Sequence, residues 1–167
     1  LAITAGALFA QTFAAAPAGW ACFAGFNGKV FRAAVGKTAE AVYTGSDAKH
    51  ARWSVDGKLI FFINGANEIV AMNNDGSNRR VIGAGNVPDG SPLAAYRPDP
   101  RCVLSLEGSG FYKINADTKS KTLIYRGNTD YYGEIAISKD GLRMAVRDDA
   151  DLLKITIDPG NPAGGSR

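Results

Sequence analysis

The sequence predicts an all-β protein, a β-propeller of four-stranded antiparallel blades, and two recurring turns carry that prediction. The first turn is Trp53-Ser54-Val55-Asp56-Gly57, which returns at Tyr96-Arg97-Pro98-Asp99-Pro100 and at Ile137-Ser138-Lys139-Asp140-Gly141. From Trp53 to Tyr96 is 43 positions, and from Tyr96 to Ile137 is 41. A period of this length is typical of a propeller blade with four strands.

A second turn keeps the same period. Asp75 in Asn73-Asn74-Asp75-Gly76 is followed by Asp117 and then by Asp158, at spacings of 42 and 41 residues. Two independent turns with one period indicate a structural repeat, although they say nothing about which ligand the protein holds.

The strands of the clearest repeat can be assigned in order. Residues 49–54 lead into the Asp56-Gly57 turn, where glycine supplies the positive φ that closes a short hairpin. Residues 58–63 are apolar and suit a pleated surface; residues 68–72 and 79–82 follow after two further turns. Four short strands cannot bury both faces alone, so each sheet must stack on its neighbours.

The same register divides the rest of the chain into blades. Residues 29–43 form a partial blade of two strands, 49–82 and 93–125 form full blades, and 133–158 form a partial blade of three strands. We expect thirteen strands in about three blades, a turn-like tail at 159–167, and no helix outside the N-terminal segment. A closed ring needs at least four complete blades, so the sequence predicts an incomplete ring, from a truncated reading frame or a fragment, whose open blade edges allow self-association.

The repeat resembles the TolB-like, or WD40-like, propeller repeat. Residues 51–62, with Ser54-Val55-Asp56-Gly57, and residues 68–82, with Asn73-Asn74-Asp75-Gly76, together resemble one complete repeat. The blade at 93–125 departs from the pattern at Pro100 and Thr118, and the last blade carries Lys139 where proline is usual. The resemblance covers about residues 29–158 and implies a scaffold rather than an activity.

Residues 1–18 contain no charged side chain. An apolar stretch followed by small residues is typical of a secretory signal peptide, here with cleavage after Ala14 or Ala18. A transmembrane helix and a buried apolar strand are the competing interpretations, because a span needs roughly 18 apolar residues. With residues 19–28 as a linker, we expect a secreted or periplasmic protein that has no stable membrane span after signal removal.

Charge and cysteine usage narrow the function classes. The formal net charge is +3, from 19 basic and 16 acidic side chains mixed along the chain, so nucleic-acid binding is disfavoured. The only cysteines, Cys22 and Cys102, lack a metal-binding spacing and form either one disulfide or two buried thiols. Cys102 begins an apolar strand, which favours burial.

Catalytic chemistry is sparse in this sequence. His50 is the only histidine, and no Gly-x-Ser-x-Gly motif accompanies it. A zinc or copper site would need a second nitrogen or thiolate ligand, so we expect no metal and no cofactor. The loop at 73–78 has one carboxylate and is better explained as a hairpin turn than as a calcium site.

Five residues are candidates for ligand binding because they lie at or near the first strands of three successive blades: His50, Tyr96, Asp130, Tyr131 and Tyr132. First strands converge on the channel of a propeller, and aromatic rings beside a carboxylate suit a sugar or a peptide. A structural role for His50 and ordinary packing of the tyrosines between blades are the competing interpretations.

Two functional classes remain open. The first is a non-catalytic scaffold that binds a protein, a peptide or a glycan. The second, which the resemblance implies, is part of an enzyme, either a polysaccharide lyase or the accessory propeller of a prolyl-oligopeptidase-type peptidase. A peptidase would need a hydrolase domain, and a lyase would need several histidines or a metal cluster. The scaffold is therefore favoured.

Overall fold

The computed structural model describes residues 20–24, 27–85, 93–126, 135–148 and 151–157. Within these ranges the chain forms fourteen β-strands and no helix. The strands make four antiparallel sheets of three, four, four and three strands, and the order within each sheet follows the chain. The all-β prediction is confirmed, and the arrangement is that of an incomplete propeller of three to four blades.

The strands are grouped by sheet. The first sheet contains β1 (Trp20–Ala24), β2 (Val30–Ala34) and β3 (Glu40–Tyr43), and the second contains β4 (Lys49–Trp53), β5 (Leu59–Ile63), β6 (Glu68–Asn73) and β7 (Arg80–Ala84). The third sheet contains β8 (Ala94–Ala95), β9 (Cys102–Glu107), β10 (Gly110–Asn115) and β11 (Lys121–Arg126). The fourth contains β12 (Ile135–Ile137), β13 (Arg143–Asp148) and β14 (Asp151–Thr156).

The segment interpreted as a linker at 19–28 is corrected by β1. Trp20–Ala24 pairs antiparallel with β2, from Trp20 opposite Ala34 to Ala24 opposite Val30. Cys22 lies on this strand and is buried. The first sheet therefore has three strands instead of the two expected, because the residues of β1 extend it by antiparallel pairing with the next strand along the chain.

The Asp-Gly turns of the second and fourth sheets share one hydrogen-bond pattern. The Ser54 hydroxyl donates to Asp56 Oδ1 over 2.7 Å and accepts from the Leu59 N–H over 2.9 Å. Ser138 and Asp140 repeat both bonds, with Arg143 N–H as the donor to Ser138. Gly57 and Gly141 have φ of 69° and 76°, so glycine supplies the predicted positive φ.

The equivalent turn of the third sheet departs from this pattern as its sequence does. Arg97 stands where the serine belongs, and the Cys102 thiol donates to Asp99 Oδ2 over 3.2 Å instead. The backbone bond that closes this turn runs from Tyr96 N–H to the Cys102 carbonyl. It encloses one more residue than the equivalent backbone bond of the second sheet, from Ser54 N–H to the Leu59 carbonyl. Pro100 accordingly needs no positive φ at this turn.

In the described part of the chain the hydrophobic core forms three clusters, each between two consecutive sheets. Cys22 and Val30 meet Trp53, Phe62 and Met72 between the first and second sheets. The cluster between the second and third sheets includes Leu59, Phe61, Ile63, Val103 and Ile114. The cluster between the third and fourth sheets includes Leu104, Phe111, Ile137, Met144 and Ile155. All five residues of β5 are buried because this strand contributes to two clusters.

Arginines tie the first sheet to a turn of the second, and the second sheet to a turn of the third. Arg32 of β2 donates to the Asn74 carbonyl over 2.9 Å, and Arg80 of β7 donates to the Ala116 carbonyl over the same distance. Arg80 also contacts Asp117, which accepts from Arg101 as well. These contacts fix the stacking of sheets at their turn ends. Nowhere in the described ranges is there a helix long and apolar enough to span a membrane.

Candidate functional site

The first strands of successive sheets meet one another. β4 contacts β1 on one side and β8 on the other, and β8 contacts β12. Each of these strands forms an edge of its own sheet. Two of the five predicted ligand-binding residues belong to this central region, with His50 inside β4 and Tyr96 directly after β8.

His50 sits at an irregular point of its strand. The pairing of β4 with β5 shifts between Lys49 and Arg52, and His50 has a φ of 53°. A left-handed conformation is uncommon for a residue other than glycine, and a bulge turns a side chain away from the direction that regular pairing would give it. His50 is half-buried and engaged in contacts within the structure.

Tyr96 is held mainly by packing between the third and fourth sheets. Its ring packs against the cluster between these sheets, and the Lys113 ammonium lies 5.8 Å from the ring centroid. Burial raises the pKa of the Tyr96 hydroxyl above its ordinary value of 10. A methyl group added at Gly141 would lie 3.4 Å from the hydroxyl oxygen, so the turn of the fourth sheet approaches Tyr96 closely.

Asp130, Tyr131 and Tyr132 lie outside the described residues, so the shared central cavity stays a prediction. Of the other two, His50 lies in β4 and Tyr96 directly follows the neighbouring strand β8.

The two cysteines are buried, unpaired thiols, as the apolar context of Cys102 indicated. Burial raises the pKa of Cys22 to about 12 and that of Cys102 to about 11. Thiols with such pKa values are not nucleophiles near neutral pH. The loop at 73–78 is a hairpin turn in which the Asp75 carboxylate accepts from the N–H and hydroxyl of Ser77.

Sequence reasoning missed a groove of about 250 Å³ between the first and second sheets. Tyr43, at the end of β3, lies on one side, and Asn64, Arg79, Arg80 and Val81 of the second sheet lie on the other. Phe62 and Val70 of the second sheet line the floor, and both are buried. Tyr43 and Arg79 are 36 positions apart and belong to no common motif, so only the stacking of sheets brings them together.

Hydrogen bonds hold the Tyr43 wall in place. The Tyr43 hydroxyl donates to Asp47 Oδ1 over 2.6 Å, and Asp47 Oδ2 accepts from the Gly65 N–H over 2.9 Å. The bond between the two side chains raises the pKa of Tyr43 and lowers that of Asp47. A Cβ at Gly45 would lie 2.2 Å from the Tyr43 hydroxyl oxygen, so only glycine leaves room for the ring.

Comparison with known proteins supports the fold. No family model and no curated protein sequence matches the chain. Among solved structures, an oligogalacturonate lyase in complex with manganese aligns with a TM-score of 0.59 and 14% identity over 83% of this chain and 41% of its own. A nidogen/laminin complex aligns with a TM-score of 0.62 and 15% identity, over 82% of this chain and 55% of the matched chain.

An auxiliary nutrient binding protein from Bacteroides thetaiotaomicron also aligns, with a TM-score of 0.62 and 11% identity over 93% of this chain and 40% of its own. The chain thus spans about half the length of these proteins or less. Identities this low show a common fold of the propeller type and nothing about activity.

Proposed function

We propose that the protein is a non-catalytic binding scaffold whose central strands hold a protein, peptide or glycan ligand. The observation that carries the proposal is the backbone of His50, which has a left-handed φ of 53° inside a bulge of the central strand β4. Such a conformation costs about 1–3 kcal/mol at a residue other than glycine. Conformations of this cost concentrate at ligand-binding positions, where they aim a side chain.

The similar structures support a binding role by analogy of fold. One was solved in a complex with laminin, and another is named as a nutrient binding protein. The turn motifs in 51–62 and 68–82 further support membership of the TolB-like repeat proteins, and the uncharged segment 1–18 supports export to the periplasm or the medium.

A variant of His50 tests the proposal directly. Asparagine tolerates the left-handed region better than most residues, so His50→Asn removes the imidazole while the bulge is kept. Wild type and variant are compared on a glycan array and on a peptide library, with the thermal midpoint as the control for folding. We expect a ligand whose binding weakens about tenfold or more in the variant, because buried hydrogen bonds to a ligand are worth this much.

The enzyme alternative predicts a different result. Two similar structures are oligogalacturonate lyases, so oligogalacturonate is incubated with the wild-type protein with and without manganese. Turnover that disappears in His50→Asn would replace the scaffold proposal with a polysaccharide lyase. Binding that is equal in wild type and variant would remove His50 from the ligand site.

A further inference from the structure

The groove between the first and second sheets has two contrasting sides. Its floor is apolar, with Phe62 and Val70 buried, and the ring centroids of Tyr43 and Phe62 are 4.7 Å apart at an angle of 40°. Val81 on the opposite wall is 39% exposed although it is aliphatic. An apolar group of a ligand would cover this surface and remove it from water.

A cation stands at the mouth of the groove. The guanidinium carbon of Arg79 lies 5.1 Å from the Tyr43 ring centroid, and the side chain is exposed. In the described part of the chain, no ion pair is recorded for Arg79. Asp47 lies close enough to be affected by its charge, but both carboxylate oxygens of Asp47 already accept hydrogen bonds, from Tyr43 and Gly65.

The adjacent Arg80 differs from Arg79 because its guanidinium is hydrogen-bonded within the protein. Arg80 donates to the carbonyls of Ala116 and Asn78 and to the carboxylate of Asp117. Arg80 also lines the groove, but these bonds hold its guanidinium, two of them to the third sheet and one within its own turn. Arg79 instead keeps the planar set of donors that matches a carboxylate in a bidentate geometry.

The groove is preorganised for a small ligand. The bonds among Tyr43, Asp47 and Gly65 fix the tyrosine ring, and the ring in turn supports the guanidinium. Ordering these groups in advance removes part of the entropy cost of binding. A volume of about 250 Å³ is just below the roughly 300–1,000 Å³ of sites for drug-sized ligands, which suits a single amino-acid residue or a molecule of that size.

We propose that this groove binds a carboxylate attached to an apolar group, with the carboxylate on Arg79 and the apolar group against Phe62, Val70 and Val81. The chemistry has two sources, a free amphiphilic carboxylic acid and the C-terminal residue of a peptide. The site is separate from the central strands and does not depend on the role proposed for His50.

Four probes test the site and distinguish the sources: N-acetyl-leucine, its amide, and a short peptide ending in leucine with either a free or an amidated carboxyl terminus. Binding to the full chain is followed by amide chemical shifts in 1H–15N spectra. We expect the two free carboxylates to shift the resonances of Tyr43 and of 79–81, and the two amides to bind at least about tenfold more weakly. Binding of the peptide acid alone assigns the site to C-termini, and binding of both acids assigns it to the carboxylate and its apolar neighbour.

Variants separate this site from general charge effects. Arg79→Gln is expected to weaken the acids about tenfold, whereas Lys154→Gln removes one exposed positive charge from the last sheet and leaves the affinity unchanged. Val81→Glu places a negative charge in the groove wall and also weakens the acids. His50→Asn leaves them unaffected. Amides that bind as tightly as the acids, an unchanged affinity in Arg79→Gln, or an equal loss in Lys154→Gln would overturn the proposal.

Discussion

Some positions require glycine only because the backbone has a positive φ, whereas others also leave no room for a Cβ atom. Gly36 has a φ of 72° and nothing within 4 Å of the position that a Cβ would take. Gly76 has a φ of 87°, and a Cβ there would lie 2.2 Å from the carbonyl oxygen of Val42, in the neighbouring sheet. The turn that contains Gly76 therefore packs against another sheet, while that of Gly36 faces solvent.

Alanine at these two glycines separates the two requirements. Gly36→Ala is expected to lower the free energy of unfolding by about 1 kcal/mol, the cost of a left-handed residue with a side chain. Gly76→Ala adds a collision with backbone and is expected to cost about 2–4 kcal/mol. Urea unfolding of both variants measures the difference. Equal losses would show that the turn at Gly76 moves away from Val42 without cost.

At the scale of the strands, the spacing of the two recurring turns predicted most of the fold, because each turn is recognised from residues close together in the sequence. Asp-Gly turns mark strand ends through bonds within five residues, as at Ser54 and Ser138. β1 was missed because its only strand signal is a short apolar run whose partner, β2, lies beyond a glycine-rich loop. The groove was missed for a different reason, since contacts between sheets leave no periodic trace in the sequence.

The ion pairs of Asp117, with Arg101 of the third sheet and Arg80 of the second, predict a pH dependence. Hydrogen bonding by Arg101, followed by the charges of Arg101 and Arg80, holds the pKa of Asp117 below its ordinary value of 3.8. A carboxyl group whose pKa is lower in the folded state stabilises the fold above the pKa of the unfolded chain. That contribution is lost as the pH falls through the folded pKa.

Asp117→Asn tests this contact between elements. The Asp117 side chain is 47% exposed, so water and salt screen its ion pairs and we expect a loss of at most about 1 kcal/mol at pH 7. The difference from wild type should narrow as the pH falls below 3.8, and also in 1 M salt at pH 7. Guanidinium is unsuitable for this measurement because it is a salt, so thermal unfolding is followed at each pH. A difference that is the same in acid and at neutral pH would contradict an ionic contribution.

Among the described residues of the whole molecule, burial is greatest in the second and third sheets and lower in the first and fourth. Every residue of β5 is buried, and four consecutive residues of β6 are buried as well. Among the residues of the fourth sheet whose burial is described, one face is buried, by Ile135, Ile137, Met144, Val146 and Ile155, while Ala136 and Lys154 of the opposite face are exposed. Stability of a stacked array is the sum of its units and of the contacts between them, so sheets with one contact open more readily than sheets with two.

Amide hydrogen exchange on the full chain measures this difference between sheets. We expect the amides of Ile60, Phe61 and Phe62 to exchange only by global unfolding, because both faces of β5 must separate from neighbouring sheets first. The amides of β13, in the middle of the fourth sheet, are bonded to strands on both sides, so edge exposure does not account for their exchange. We expect them to exchange about tenfold faster or more, through opening of the fourth sheet as a unit.

Light scattering of the same sample shows whether open edges associate, and dilution tests whether protection depends on association. Equal protection of β5 and β13 at a concentration where the protein is monomeric would mean that the second and fourth sheets unfold together, and the contacts between sheets would then be far more cooperative than their burial indicates.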